Sequence, residues 1–478
     1  MHPTLSRVVS GWAIAGAVCL LAPLCPRPAH ASGPTLGLGR KRATVALRLP
    51  IVSPLRTIHV GQYPALVTVD VRDRHIFVAD QGHLGGDHTL PDGPGSVAMV
   101  DEGNGVVLRT IPVSQAPVAL AVDAPAQRVF VLCTGRIDTV NGFMSRGGSV
   151  SVLDAVTGAV VRTLSVGPVP LQVSGSGAAP TARQALVVDS TNGRVYVSTS
   201  ATVLVLDGMT GVVRRTIAVR GGITPSVIAP SVIAVDGRAR RLYMGDSGDT
   251  TMPFLPSSSV SGLFGVLDAA TGKGIANVAV TQSGISVIAV DERAGRVLVF
   301  ELHGNREYST VVDVLDARSG KLLHTTDLGV PSDGSIAVGI IGTTSRVAVL
   351  YIPSEYEAAN GGGERVVDIF DTRDGHMLRT TVLPPFGRFV GYTLGQALAI
   401  DGRDNRILVA NAQGYFGGTD SRVAASNVYV LDARSGAIMR SLQVGPGPQD
   451  VAVDEVARRV FVTNERSDTL SVFDAAQL

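Results

Sequence analysis

The chain is poor in the residues that staple small proteins, carry haem or build long charged helices. Its 478 residues include one tryptophan, Trp12, and three cysteines, Cys19, Cys25 and Cys133. Three cysteines in a chain of this length do not make a disulfide framework. No Cys-x-x-Cys-His stretch is present, which excludes covalently attached haem. A Gly-x-Ser-x-Gly elbow and a Gly-rich phosphate loop in the right context are also missing, so the usual signatures of serine hydrolases and nucleotide binders are absent. Charged residues make up 17% of the chain and the net charge is +1, without the basic stripe of a nucleic-acid binder. What is abundant is glycine and proline, 55 and 26 residues, more than one position in six. With 45% hydrophobic residues, that supply of turn formers implies an all-β chain of many short strands.

The first thirty-one residues have the order of an export signal. Arg7 precedes an apolar run from Val8 to Leu24, followed by Pro26, Pro28 and Ala29-His30-Ala31. This pattern predicts cleavage after Ala31. The run carries Pro23 and is short for a membrane span, so a cleaved signal is preferred to an anchor, and no transmembrane span is expected after cleavage. Ala22-Pro23-Leu24 before Cys25 lacks the small residue that lipoprotein processing needs. Cleavage removes Trp12, Cys19 and Cys25, and with Arg7 and Arg27 gone the 41 basic residues become 39 against 40 acidic ones. The expected mature protein is near neutral, monomeric and exported, whether periplasmic, extracellular or bound to the cell envelope. Residues 32–49 read as a linker, in which Arg40-Lys41-Arg42 is a solvated triplet.

From residue 50 onward one unit recurs. Near the C-terminus it reads "PQDVAVDEVARRVFVTN" and then "DTLSVFDAAQL", while earlier copies add "VLDARSGAIMRSLQVG". Each copy parses into four short strands, A to D, separated by turn signals. Strand A ends at Asp70, Asp123, Asp189, Asp236, Asp291, Asp401 and Asp454, with Ser335-Ile336-Ala337-Val338 taken for the sixth place. Strand C ends at Asp101, Asp154, Asp207, Asp268, Asp316, Asp371, Asp432 and Asp474, again eight copies. Five residues after the strand A Asp stands a cation, Arg128, Arg194, Arg241, Arg296, Arg406 or Arg459, with His75 in the first copy. A carboxylate that caps turn N–H groups with an arginine pairing beside it is a structural device. The last copy stops after strand C. Leu55-Arg56-Thr57-Ile58-His59-Val60-Gly61 looks like a strand D without its own A, B and C strands. A ring in which this N-terminal strand completes the last sheet explains both facts.

These phrases resemble the YVTN-type β-propeller repeat found in YncE-like exported proteins, over roughly residues 50 to 478. The resemblance implies an all-β, eight-bladed β-propeller of four-stranded antiparallel blades, with seven blades as the alternative. It leaves activity open, because propellers of this kind serve as binding platforms, as surface modules and, in relatives, as enzymes. The eight-bladed quinone-dependent dehydrogenases carry a tryptophan-rich repeat, which this sequence lacks.

In a four-stranded blade the A–B and C–D turns lie on one face, and the B–C and D–A connections on the other. The first set is short in nearly every copy and the second reaches about twenty residues, so the binding face is expected on the B–C and D–A side. Candidates there are Asp80, His83, Asp87, His88, Asp246, Glu301, His303, Phe389 and Tyr415. The expected function is non-enzymatic binding of a protein, a glycan or a small molecule, without a cofactor and without nucleic acid. The alternatives are a lactonase-like metal-dependent hydrolase or lyase and a structural envelope protein. For the metal alternative, His83, Asp87, His88 and Asp92 offer nitrogen and oxygen donors suited to a divalent ion. Glu301 and His303 could form an acid/base pair. Cys133 at a strand end reads as a buried filler.

Overall fold

The computed structural model describes residues 49–83, 91–138, 144–170, 183–200, 202–218, 230–246, 263–279, 285–302, 310–328, 336–351, 365–384, 396–411 and 426–478. Leu49–Leu478 form a compact unit of eight antiparallel blades. Blade 1 runs through Pro64–Asp70 (A), His75–Asp80 (B), Pro94–Asp101 (C) and Val107–Gln115 (D), and the later blades repeat that order. The inner A strands are Pro64–Asp70, Pro117–Asp123, Leu186–Asp189, Pro230–Asp236, Ile285–Asp291, Ala337–Ile341, Gln396–Asp401 and Pro448–Asp454. Each packs beside the next, and the last returns to the first, so the ring is closed. The described residues contain no α-helix, only three single-turn 3-10 segments.

The closure expected from the sequence is present. Strand β2 (Arg56–His59) pairs antiparallel with strand C of blade 8, Arg56 opposite Val472 and His59 opposite Thr469. An additional strand lies before it. Strand β1 (Ile51–Val52) pairs parallel with strand D of blade 7, Ile51 opposite Ser441, and gives that blade a fifth strand. The N-terminal segment therefore fastens two consecutive blades, and the packed unit starts at Leu49 within the expected linker.

The core consists of layers between blades. Eight clusters of buried apolar side chains lie one at each junction, from Phe77 and Val131 between blades 1 and 2 round to Val78, Phe461 and Leu470 between blades 8 and 1. Strands buried on both faces explain the near-continuous Val, Ile and Leu runs of the B and C strands. With no tryptophan among the described residues, Phe77, Phe130, Tyr196, Tyr243 and Phe461, all fully buried at the same place in strand B, supply some of the largest side chains.

Blade 6 corrects one sequence assignment. Its strand A is Ala337–Ile341, so Ile341 stands where the other blades have Asp, with Arg346 opposite it. The strand lies three residues later than the pattern suggested, because Ala337-Val338 imitates the middle of a "VAVD" phrase. Arg346 consequently brings the strand B arginines to seven, with His75 as the eighth member.

Candidate functional site

The face carrying the A–B and C–D turns is committed to structure. Each strand A Asp is buried and its Oδ1 accepts from turn N–H groups, Asp70 from Arg72 at 3.0 Å, Asp291 from Ala294 at 2.9 Å and Asp454 from Val456 at 2.7 Å. Each strand C Asp caps its own turn, as Asp154 does for the Thr157 N–H and hydroxyl, both at 2.9 Å. Glycine then supplies the left-handed position, as at Gly158. These capping bonds hold the Asp154, Asp268 and Asp316 carboxyls below the usual carboxylate range, and bonds from Thr210 and Arg214 bring Asp207 down to about 2.

The strand B cations do more than pair beside the strand A Asp. Arg128 contacts Asp154 of its own blade at 3.0 Å and donates from Nε to the Met209 carbonyl of the next blade at 2.8 Å. The same reach to the following C–D turn recurs from His75 to Ala155, Arg194 to Ala269, Arg241 to Arg318, Arg346 to Ala433 and Arg406 to Ala475. The repeated cation is an inter-blade clamp. Its partner is a backbone carbonyl in a neighbouring unit, which a linear repeat pattern cannot display.

On the opposite face, three of the sequence candidates prove to be equivalent positions. Asp80, Asp246 and Glu301 each lie five residues after the first residue of strand B, opposite the first residue of strand A. Cys133, Tyr351, Asn411 and Asn464 occupy the same place in other blades. Asp80 and Glu301 are fully buried. Asp80 Oδ2 accepts from the Ser96 hydroxyl at 3.0 Å and the carboxylate lies against the Gly61 backbone, while burial, with the Asp468 charge nearby, pushes the carboxyl up to about 7. Asp80 thus pins the D–A connection that crosses above it. A side chain at position 61 would meet that carboxylate, since a Cβ there would lie 2.3 Å from Oδ2. Burial likewise pushes the Cys133 thiol up to about 12, in keeping with a filler role.

Tyr351 and Asp368 form a buried pair that sequence reading missed. The Tyr351 hydroxyl donates to Asp368 Oδ2 at 2.8 Å, and desolvation raises both groups. His83 is exposed and its Nδ1 lies 2.7 Å from Asp92 Oδ1. The Asp92 N–H donates to the His83 carbonyl at 3.1 Å, so the two close the neck of the blade 1 B–C loop. Asp246 ends strand B of blade 4, and its side chain lies outside the described residues, as do Asp87, His88, His303, Phe389 and Tyr415 in full. Among the described residues no three His, Cys, Asp or Glu side chains come together as a metal-binding group.

The central channel is bridged. The 3-10 turn Arg183–Ala185 precedes the short strand A of blade 3, and Gln184 reaches the inner strand of blade 5. Its amide nitrogen donates to the Ile288 carbonyl at 2.8 Å and its amide oxygen accepts from the Ile288 N–H at 3.0 Å. Asp450 of blade 8 similarly accepts from the Val67 N–H of blade 1 at 3.0 Å. Inner strands leave one backbone edge unpaired, and these side chains satisfy part of it. A depression of about 370 Å³ opens at the A–B turn end between blades 6, 7 and 8, lined by Ile340, Ile400, Arg403 and Glu455 among others. Arg403 and Glu455 are already engaged, the first with the Glu455 carbonyl and the second with the Gly402 N–H.

No family model matches the chain, and no curated protein matches it. Among solved structures it is similar to hydrazine synthase of Kuenenia stuttgartiensis, at 16% identity and a TM-score of 0.50, over 83% of this chain and 99% of that one. It also matches the β-propeller domain of Cps50 (Swd1) from Myceliophteria thermophila, at 11% identity and a TM-score of 0.45, over 88% and 99% of the two chains. At these identities the first likeness bears on the fold alone. The described helices include none long and apolar enough to cross a membrane. The eight-bladed fold itself makes the chain a β-propeller, an architecture compatible with a binding scaffold.

Proposed function

We propose that this chain is an exported YncE-like propeller that binds a partner, without catalysis, through the face of B–C and D–A connections. The observation that carries the reading is the division of labour between the faces. On the A–B and C–D side, the repeated Asp carboxylates and Arg side chains are spent on turn capping and inter-blade clamps. On the other side the connections differ in length from blade to blade, from the single residue between Gln115 and Pro117 to the eighteen between Gly167 and Leu186. Variable loops on a rigid ring are the usual place for recognition.

Site-specific photo-crosslinking tests this. A photoreactive residue at position 83 should yield a discrete adduct with a component of the cell envelope extract, and one at position 157 on the opposite face should not. Adducts from position 157 alone would overturn the proposal.

A second reading, a metal-dependent hydrolase or lyase, draws on the contact between His83 and Asp92. A carboxylate on Nδ1 orients a histidine so that Nε2 can ligate a metal ion. It requires a stoichiometric divalent ion in the dialysed protein and a lower melting temperature in chelator.

A further inference from the structure

We propose that closure of the ring is linked to proton binding at the seam between blades 8 and 1, through two buried carboxyl groups, Glu102 and Asp80, one at each face of blade 1. This is the junction where chain ends meet, because blade 8 takes its outer strand β2 from the N-terminal segment.

Glu102 breaks a repeat rule. The residue after the strand C Asp is small in every other blade, Ala155, Gly208, Ala269, Ala317, Thr372, Ala433 and Ala475. The reason is steric and electrostatic, since this residue sits against the strand A Asp of the preceding blade. A Cβ on Gly208 would come within 2.9 Å of Asp123 Oδ2, and Thr372 Oγ1 donates to Asp291 Oδ2 at 2.5 Å. At the seam a glutamate takes that place and faces Asp454 of blade 8. Its side chain is 1% exposed. Oε2 accepts from Arg74 Nε at 3.2 Å, and Oε1 has no hydrogen-bond partner. The other charges near it are Arg459 of blade 8, itself 3.2 Å from Asp474, and the adjoining Asp101 opposite His75. Desolvation and Asp454 outweigh Arg74 and Arg459, so the Glu102 carboxyl is raised.

At the other face, the Asp80 carboxylate packs against Gly61, two residues beyond β2, with Asp468 of blade 8 as the facing charge. Asp450 and Glu465 stand at the same end of blade 8, bonded to the Val67 N–H and to Gln449. Asp80 Oδ1 has no partner. An unpartnered oxygen of a buried carboxylate is costly, and protonation lowers that cost.

A carboxyl raised in the folded state binds more protons there than in the open chain, so its stabilisation is complete at low pH and is lost as pH rises through the folded value. For Asp80 the window runs from about 4, the ordinary Asp value, up to about 7. Glu102 acts in the same direction. The seam tightens on acidification.

Hydrogen exchange of the full mature chain tests the linkage, with protection corrected for intrinsic rates and referenced to the blade 2 sheet. Amides of Arg56–His59 should gain about tenfold or more in protection between pH 8 and pH 5.5, a unit of pKa being tenfold in population. The D80N/E102Q double variant should show a flat profile. Should that variant fold poorly, E102A, which installs the residue found in five other blades, should still raise seam protection at pH 8. A wild-type seam indifferent to pH, a slope retained in D80N/E102Q, or lower protection in E102A at pH 8 would each overturn the proposal.

Discussion

Arg56 Nη1 donates to the carbonyl oxygen of Gly103 at 3.0 Å, which ties a residue ahead of the first blade to that blade's C–D turn. The arginines in equivalent register at the next two junctions, Arg109 and Arg162, reach the following C–D turn one residue further on, at Thr157 and Thr210. β2 is therefore an outer strand in full register with the others, although forty-seven residues and no blade of its own separate it from its acceptor.

Removing residues 49–60 should open the ring. The loss takes away β2, the parallel strand β1 and Ile58, a member of the layer between blades 8 and 1. Burial of one such side chain alone contributes about 1.5–3 kcal/mol. Differential scanning calorimetry should show the transition fall by roughly 5 °C or more. An unchanged transition would contradict closure by β2.

Tyr351→Phe removes the hydroxyl that serves the buried Asp368 carboxylate. The expected loss is about 1–3 kcal/mol near neutral pH, the cost of an unsatisfied buried acceptor. Because Asp368 is already raised, and loses a stabilising donor in the variant, the deficit should shrink as pH falls. Denaturant titrations at pH 7.5 and pH 5 measure both quantities.

Gln184→Ala should free the Ile288 N–H and carbonyl inside the channel. Two neutral hydrogen bonds at about 0.5–1.5 kcal/mol each set the scale. Exchange at the Ile288 amide should accelerate, with the blade 1 sheet unaffected.

The His83→Ala/His88→Ala double variant should retain the melting temperature, since His83 is exposed and its contact with Asp92 is a surface pair worth about 0–1 kcal/mol. Elemental analysis of both proteins provides the second readout. A divalent ion in the wild type that disappears in the variant would favour the hydrolase reading over the binding scaffold.

Much of the architecture could be read along the chain, because the blade is a local object. The strand A Asp, the turn after it and the strand B cation fall within six residues, and a hairpin of that size is decided by turn chemistry and alternation. Eight strand C aspartates gave the blade number even where Ile341 displaced the strand A Asp. Strand β1 escaped notice, because two residues pairing in parallel with an outer edge leave no periodicity to detect. The candidate site was legible mainly as the right face. That Asp80, Asp246 and Glu301 are one repeated position follows from register, and the burial of Asp80 depends on the connection at Gly61 that crosses it, neither of which a linear pattern displays.

The sequence by itself determined the strand order, the eightfold repeat and the need for an N-terminal strand in the last blade, since each rests on contacts between near neighbours or on one missing partner. Only the tertiary structure decided what the repeated side chains do. Arg128 finds its acceptor in Met209, Gln184 finds Ile288 two blades away, and Glu102 meets Asp454 across the whole length of the ring. Those partners become neighbours when the circle closes, and the desolvation that raises Asp80 and Glu102 exists only once the adjoining blade excludes water.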